Sequence, residues 1–171
     1  FKYTNLLIHL LNGVLLCWAI LLLLRNYAYE EQKAVWIAIL ATAFWVLHPY
    51  MVSTTLYIVQ RMAQLATLFS LVGIIGYLKA RQALATRPIT AYLGMMVAIG
   101  AGTILATYSK ENGALLPLLI LVIEFCNPNQ TNKPIWQWRA VCLWLPSIAV
   151  SYLVFKSINF YLYPQHIKGE P

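Results

Sequence analysis

The stretch LHPYMVSTTLYIVQRMAQLATLFSLVGIIGY, Leu47–Tyr77, decides how the chain is read. It is apolar enough to cross a bilayer. Yet its first part carries His48, Ser53, Thr54, Thr55, Tyr57, Gln60, Arg61 and Gln64. An arginine inside a membrane helix costs several kcal/mol unless it is paired or wetted, so Arg61 marks a functional site by default. The remaining segments read as a scaffold that brings other polar groups to the same depth.

Composition supports a membrane setting. Of 171 residues, 61% are hydrophobic and 10% charged, against about 25% charged in soluble domains. The mean hydropathy is +0.68. The expected fold is an all-α integral membrane bundle of about six transmembrane helices, forming one transmembrane domain over residues 1–171. The segments fall near 5–24, 34–47, 53–78, 89–107, 113–126 and 140–161. The net charge of +7 contains no basic run, which argues against nucleic acid as a partner. Cys17, Cys126 and Cys142 lack metal-ligand spacing, so no metal site is expected.

The charge serves topology instead. With the first segment entering from outside, the inner loops hold Arg25, Lys33, Lys79, Arg81, Arg87, Lys133 and Arg139. The outer side holds Lys2, Lys110 and Lys168. The positive-inside rule then puts both ends outside. Trp36, Trp136 and Trp138 fit an aromatic belt at the inner boundary. The second segment is short and the third long, so the His48-Pro49 turn is expected below the outer surface, beside a wet cavity. Ser53 is a candidate cap for the third helix. Pro117 and Pro146 are expected to kink segments five and six.

The polar groups collect on the outer half. Asn5, His9 and Asn12 fall at i, i+4 and i+7, on one face of the first helix. They either bond neighbouring helices or line the cavity. Ser53, Tyr57, Arg61 and Gln64 share a face of the third segment, with Gln60 beside it. A guanidinium there suits phosphate or carboxylate, and an ion pair with Glu111 is the structural alternative. Lys110 can serve as a point charge for phosphate. Glu111 is a candidate base or a counter-charge for Lys110 and Arg61. Glu124 reads as interfacial. The chemistry suits an anionic, membrane-embedded ligand such as a polyprenyl phosphate.

Three stretches add a resemblance: NLLIHLLNGVLL from Asn5, LHPYMVSTTLYIVQRMAQ from Leu47, and YSKENGALLPLLILVIE from Tyr108. Together they resemble the polytopic GT-C glycosyltransferases, closest to the tetratricopeptide-linked transmembrane O-mannosyltransferases and bacterial pilin-glycosylating relatives. The matching positions are Asn5, His9 and Asn12; His48, Pro49, Gln60 and Arg61; Ser109, Lys110 and Glu111. The resemblance implies transfer of a sugar from a polyprenyl-phosphate donor to an acceptor hydroxyl, on a protein, at the periplasmic face of a bacterial inner membrane. It implies that Arg61 and Lys110 hold donor phosphate and that His48, Gln60, His9 and Tyr57 shape the site. The family's acidic base belongs to a first outer loop. The chain has no Asp, so that loop is expected upstream of Phe1, and tetratricopeptide repeats would follow downstream. A transporter or flippase for a lipid-linked or anionic solute, and a purely structural membrane subunit, are the competing readings. A solute path should also place polar residues in the inner half.

Overall fold

The computed structural model describes residues 2–51, 57, 60–126, 148 and 152. These residues are helical, with no strand among them. Five α-helices are described: α1 Lys2–Asn26, α2 Glu31–Leu47, α3 Arg61–Gln82, α4 Pro88–Ser109 and α5 Leu116–Cys126. Short 3-10 turns, Ala83–Ala85 and Glu111–Leu115, join α3 to α4 and α4 to α5. Of the expected sixth segment at 140–161, only Ile148 and Tyr152 are described, and Pro146, Trp136 and Trp138 lie outside the described residues. Three helical stretches are long and apolar enough to cross a membrane: Tyr3–Asn26, Arg61–Ala85 and Pro88–Ser109.

Two helix starts differ from the sequence expectation. The third helix begins at Arg61 rather than Ser53. Arg61 is therefore the first residue of its helix, not two turns inside it. Tyr57 precedes the helix, and Ser53 is outside the described residues. Likewise, Pro117 is the second residue of α5. There its missing N–H costs nothing, so it starts a helix instead of kinking one.

Contacts fix the arrangement. His9 meets Val46 and Arg25 meets Glu31, so α1 and α2 are antiparallel. Asn12 meets Gln64 and Asn26 meets Gln82, so α1 and α3 are parallel. In α3 and α4, Gly73 lies against Gly102, Gly76 against Ala98 and Ala80 against Gly94, an antiparallel pair. A Cβ built on Gly102 would stand 3.0 Å from the Gly73 Cα and 2.9 Å from Leu116. Small residues thus let three helices close together, the usual device where lipid removes the hydrophobic drive between helices. Gly100, by contrast, faces open space.

The apolar core lies in the half of the bundle away from Arg61. Tyr77, Leu78, Met95, Leu116 and Ile120 are its most buried members, and Ala19 and Leu22 of α1 join them. The same half holds a buried ion pair. Arg81 donates through Nε to Glu124 Oε1 and through Nη2 to Oε2 at 3.5 Å, and Tyr77 Oη donates to Oε1 at 2.6 Å. Arg81 is 8% exposed and Glu124 2%. This corrects one expectation, since Arg81 is not a loop charge, and it gives Glu124 two buried partners. Their 43-residue separation hides the pairing from any local pattern. Nearby, Tyr27 Oη donates to the Cys126 carbonyl at 2.9 Å. Thus α1, α3 and α5 are tied together at this end.

Candidate functional site

The opposite end of the bundle carries a polar cluster built on α1. Asn5, His9 and Asn12 are all buried, as their shared face predicts. Asn5 holds the entry to α3 from both sides. Its Nδ2 donates to the Tyr57 carbonyl at 3.3 Å, and its Oδ1 accepts from Arg61 Nε at 3.0 Å. One turn on, His9 Nε2 lies 3.2 Å from the Val46 carbonyl. A carbonyl only accepts, so Nε2 carries the proton. The His9 ring stacks on Trp45 with centroids 5.0 Å apart. Asn12 Nδ2 donates to the Gln64 carbonyl at 3.0 Å, while its Oδ1 is buried without a hydrogen-bond partner. The α1 face therefore bonds neighbouring backbone, the first of the two roles open to it. Each such interhelical bond contributes on average about 0.6 kcal/mol in a membrane protein.

Arg61 is half-buried at the start of α3. Gln60 precedes it in right-handed helical geometry, and no side chain caps the helix. The first turn contains no acid. A cation there opposes the helix dipole, at a cost of about 0.3–1 kcal/mol. Dipole and guanidinium together favour an anion at this point. The ion pair with Glu111 is not formed: Glu111 is exposed and makes no salt bridge among the described residues.

The remaining predicted residues sit around this cluster. His48 caps the C-terminus of α2 and is exposed. Its Nδ1 accepts the Tyr50 N–H at 3.2 Å, which leaves Nε2 to carry the ring proton. The α1–α2 register that pairs His9 with Val46 sets His48 beside the turn of α1 between Asn5 and His9. Gln60 is half-buried, and its N–H bonds the Tyr57 carbonyl at 3.2 Å. Tyr57 contributes that carbonyl; its side chain is 65% exposed and is not on the α3 face. Lys110 is exposed at the C-terminus of α4. Running the Gly73–Gly102 register onward puts Lys110 level with Gln64 and Leu65, about one turn, or ~5 Å, from the level of Arg61.

Asn5 and Arg61 are thus bonded to each other, and Asn5 and Gln60 share the Tyr57 carbonyl; His9 bonds α2 instead, and His48 and Lys110 lie at neighbouring depth. Among the described residues, an apolar groove of about 400 Å³ lies between α1 and α2. No group of His, Cys, Asp and Glu among the described residues could hold a metal ion. Sequence reasoning missed that Asn5 holds Arg61; the signal available was the shared face of Asn5 with His9 and Asn12. Compared with family models, curated proteins and solved structures, the chain matches none.

Proposed function

We propose that this chain is the membrane portion of a GT-C type glycosyltransferase that moves a sugar from a polyprenyl-phosphate donor to an acceptor hydroxyl on a protein. The observation that carries the reading is the start of α3. An uncapped helix N-terminus bears Arg61 on its first residue, and Asn5 fixes the guanidinium at 3.0 Å. Positive charge and backbone N–H groups converge there at the end of a helix apolar enough to span a bilayer. A lipid-borne phosphate is the ligand that suits both the charge and the depth. Lys110 adds a second cation at a level about one turn from that of Arg61. His48 offers an Nε2–H donor at the same end.

In this reading Arg61 and Lys110 hold the phosphate, and Asn5 positions Arg61. Asn5, His9, Gln60 and Tyr57 shape the entry to α3. Glu111, beside Lys110, is the candidate within this sequence for the base that removes the acceptor proton. The active end faces the periplasm of a bacterial inner membrane, following the loop charges.

Transport of a lipid-linked or anionic solute is the second reading. It gains from Arg81, Glu124 and Tyr77, because they place polar groups in the other half of the bundle. However, these three bond one another and are buried. A closed ion pair serves as a staple between helices, whereas a solute path needs groups open to exchange. In the full-length protein, Arg61→Ala or Lys110→Ala should abolish glycosylation while the protein stays in the membrane. Wild-type glycosylation in both variants would reject the assignment.

A further inference from the structure

His48 and Arg61 stand at the ends of two different helices, and both ends are tied to α1. Asn5 takes the α3 side, through the Tyr57 carbonyl and Arg61 Nε. His9 takes the α2 side. Its Nε2–H donates to the Val46 carbonyl at 3.2 Å, and its ring stacks on Trp45 at 5.0 Å with 29° between the planes. Val46 lies in the last turn of α2, where carbonyls have no partner within the helix. His9, itself 5% exposed, thus caps α2 from a neighbouring helix.

His48 follows this anchor by two residues. Its ring is fixed to the same end of α2: the Tyr50 N–H bonds Nδ1 at 3.2 Å, and the Phe44 ring lies edge-on at 5.8 Å. A displacement of the α2 end therefore carries His48 with it. The principal packing partner of α2 is α1, while α3 packs on α1 and α4. No comparable packing joins α2 to α3 among the described residues. So α1 is the spacer between His48 and Arg61. Asn5 and His9 lie four residues apart, about 6 Å along the axis at 1.5 Å per residue. That step is rigid because it lies within one helix. Apolar contacts at Ala34, Ala38 and Gly13 set how closely α1 and α2 approach. The His9 bond is directional and adds a fixed rotation and height for the last turn of α2.

Resting on the function proposed above, we infer that His9 is a positioning residue: by capping α2 it holds His48 at a set distance from Arg61, so that both reach one donor phosphate. His9 acts through His48 and touches no donor itself.

The test combines distances and kinetics in the full-length protein. Spin labels replace Leu47 at the end of α2 and Met62 at the start of α3, both exposed, with the native cysteines changed to serine. His9→Leu removes the N–H and keeps apolar bulk, whereas His9→Gln restores an N–H near the position of Nε2. Pulsed electron paramagnetic resonance should show the distance distribution at least twice as wide in His9→Leu as in the parent, and His9→Gln should return it to the parent width. In unlabelled protein, His9→Leu should raise KM for the polyprenyl-phosphate sugar about 3–20-fold, the range of single interhelical hydrogen bonds in membranes. Its kcat should stay within about twofold of the parent, and His9→Gln should recover most of the KM. An unaltered distribution in His9→Leu would overturn the positioning role and leave the glycosyltransferase reading in place. Equal broadening in both variants would also overturn it, since ring packing and not the hydrogen bond would then hold α2. A broadened distribution with unchanged KM would overturn the link from His48 to the donor. Absence of polyprenyl-phosphate-dependent transfer by the wild type would overturn the glycosyltransferase reading and the donor's part in this inference together.

Discussion

Glu124→Leu should be among the most damaging single substitutions in the described helices. It removes both acceptors of Arg81 and the acceptor of Tyr77. Arg81 is then a buried guanidinium with no counter-charge from α5. Breaking one side of a buried pair costs about 3–5 kcal/mol. The stranded Tyr77 hydroxyl adds about 1–3 kcal/mol, reduced where the phenol finds another acceptor within the bundle. Arg81→Met should cost about the same 3–5 kcal/mol, now from an uncompensated carboxylate. The double variant Arg81→Met, Glu124→Leu removes both charges and keeps apolar bulk, so it should lie within about 1 kcal/mol of the parent apart from the Tyr77 term. The assay is reversible unfolding in mixed detergent micelles, with the four proteins arranged as a double-mutant cycle. A loss below about 1 kcal/mol for Glu124→Leu would refute a buried, paired carboxylate. Additive losses in the double variant would refute the pairing itself.

Three further outcomes follow from local geometry. Gly102→Val should cost about 1–3 kcal/mol because its side chain meets Gly73 and Leu116, whereas Gly100→Ala, facing open space, should gain about 0.5–1 kcal/mol from helix propensity; thermal unfolding of both variants checks the contrast. Ala28 has a positive φ of 57° in the α1–α2 turn. Ala28→Gly should therefore stabilise the chain by about 1 kcal/mol, read in the same unfolding assay. The Glu31 carboxyl lies below its ordinary value because Arg25 hydrogen-bonds it. A carboxyl lowered on folding adds stability above its unfolded pKa, and that stability is lost as pH falls through the folded value. Arg25→Gln should raise the Glu31 midpoint in an NMR titration and remove this acid-side dependence.

The pattern of residues made some of this architecture legible. The i, i+4, i+7 spacing of Asn5, His9 and Asn12 marked the buried face of α1, because helical periodicity is local. The apolar runs located five of the expected segments for the same reason. The start of α3 was harder, because hydropathy runs unbroken from Leu56 onward and gives no signal at Arg61, where the helix begins. Pro117 was misplaced because a 3-10 turn, Glu111–Leu115, replaces the first turns of the expected fifth helix. Arg81 and Glu124 looked like boundary charges, since each stands near the end of its segment. Only the parallel packing of α3 and α5 makes them a pair. The Asn5–Arg61 bond joins residues 56 positions apart and depends in the same way on α1 and α3 running parallel.

The proposed activity requires a lipid phosphate at the start of α3. Native mass spectrometry of the full-length protein incubated with polyprenyl phosphate measures this directly. The wild type should retain one polyprenyl phosphate, and Arg61→Ala should lose it, while Arg87→Ala, exposed at the opposite end of the bundle, should keep it. Equal retention by wild type and Arg61→Ala, or none by the wild type, would contradict the account.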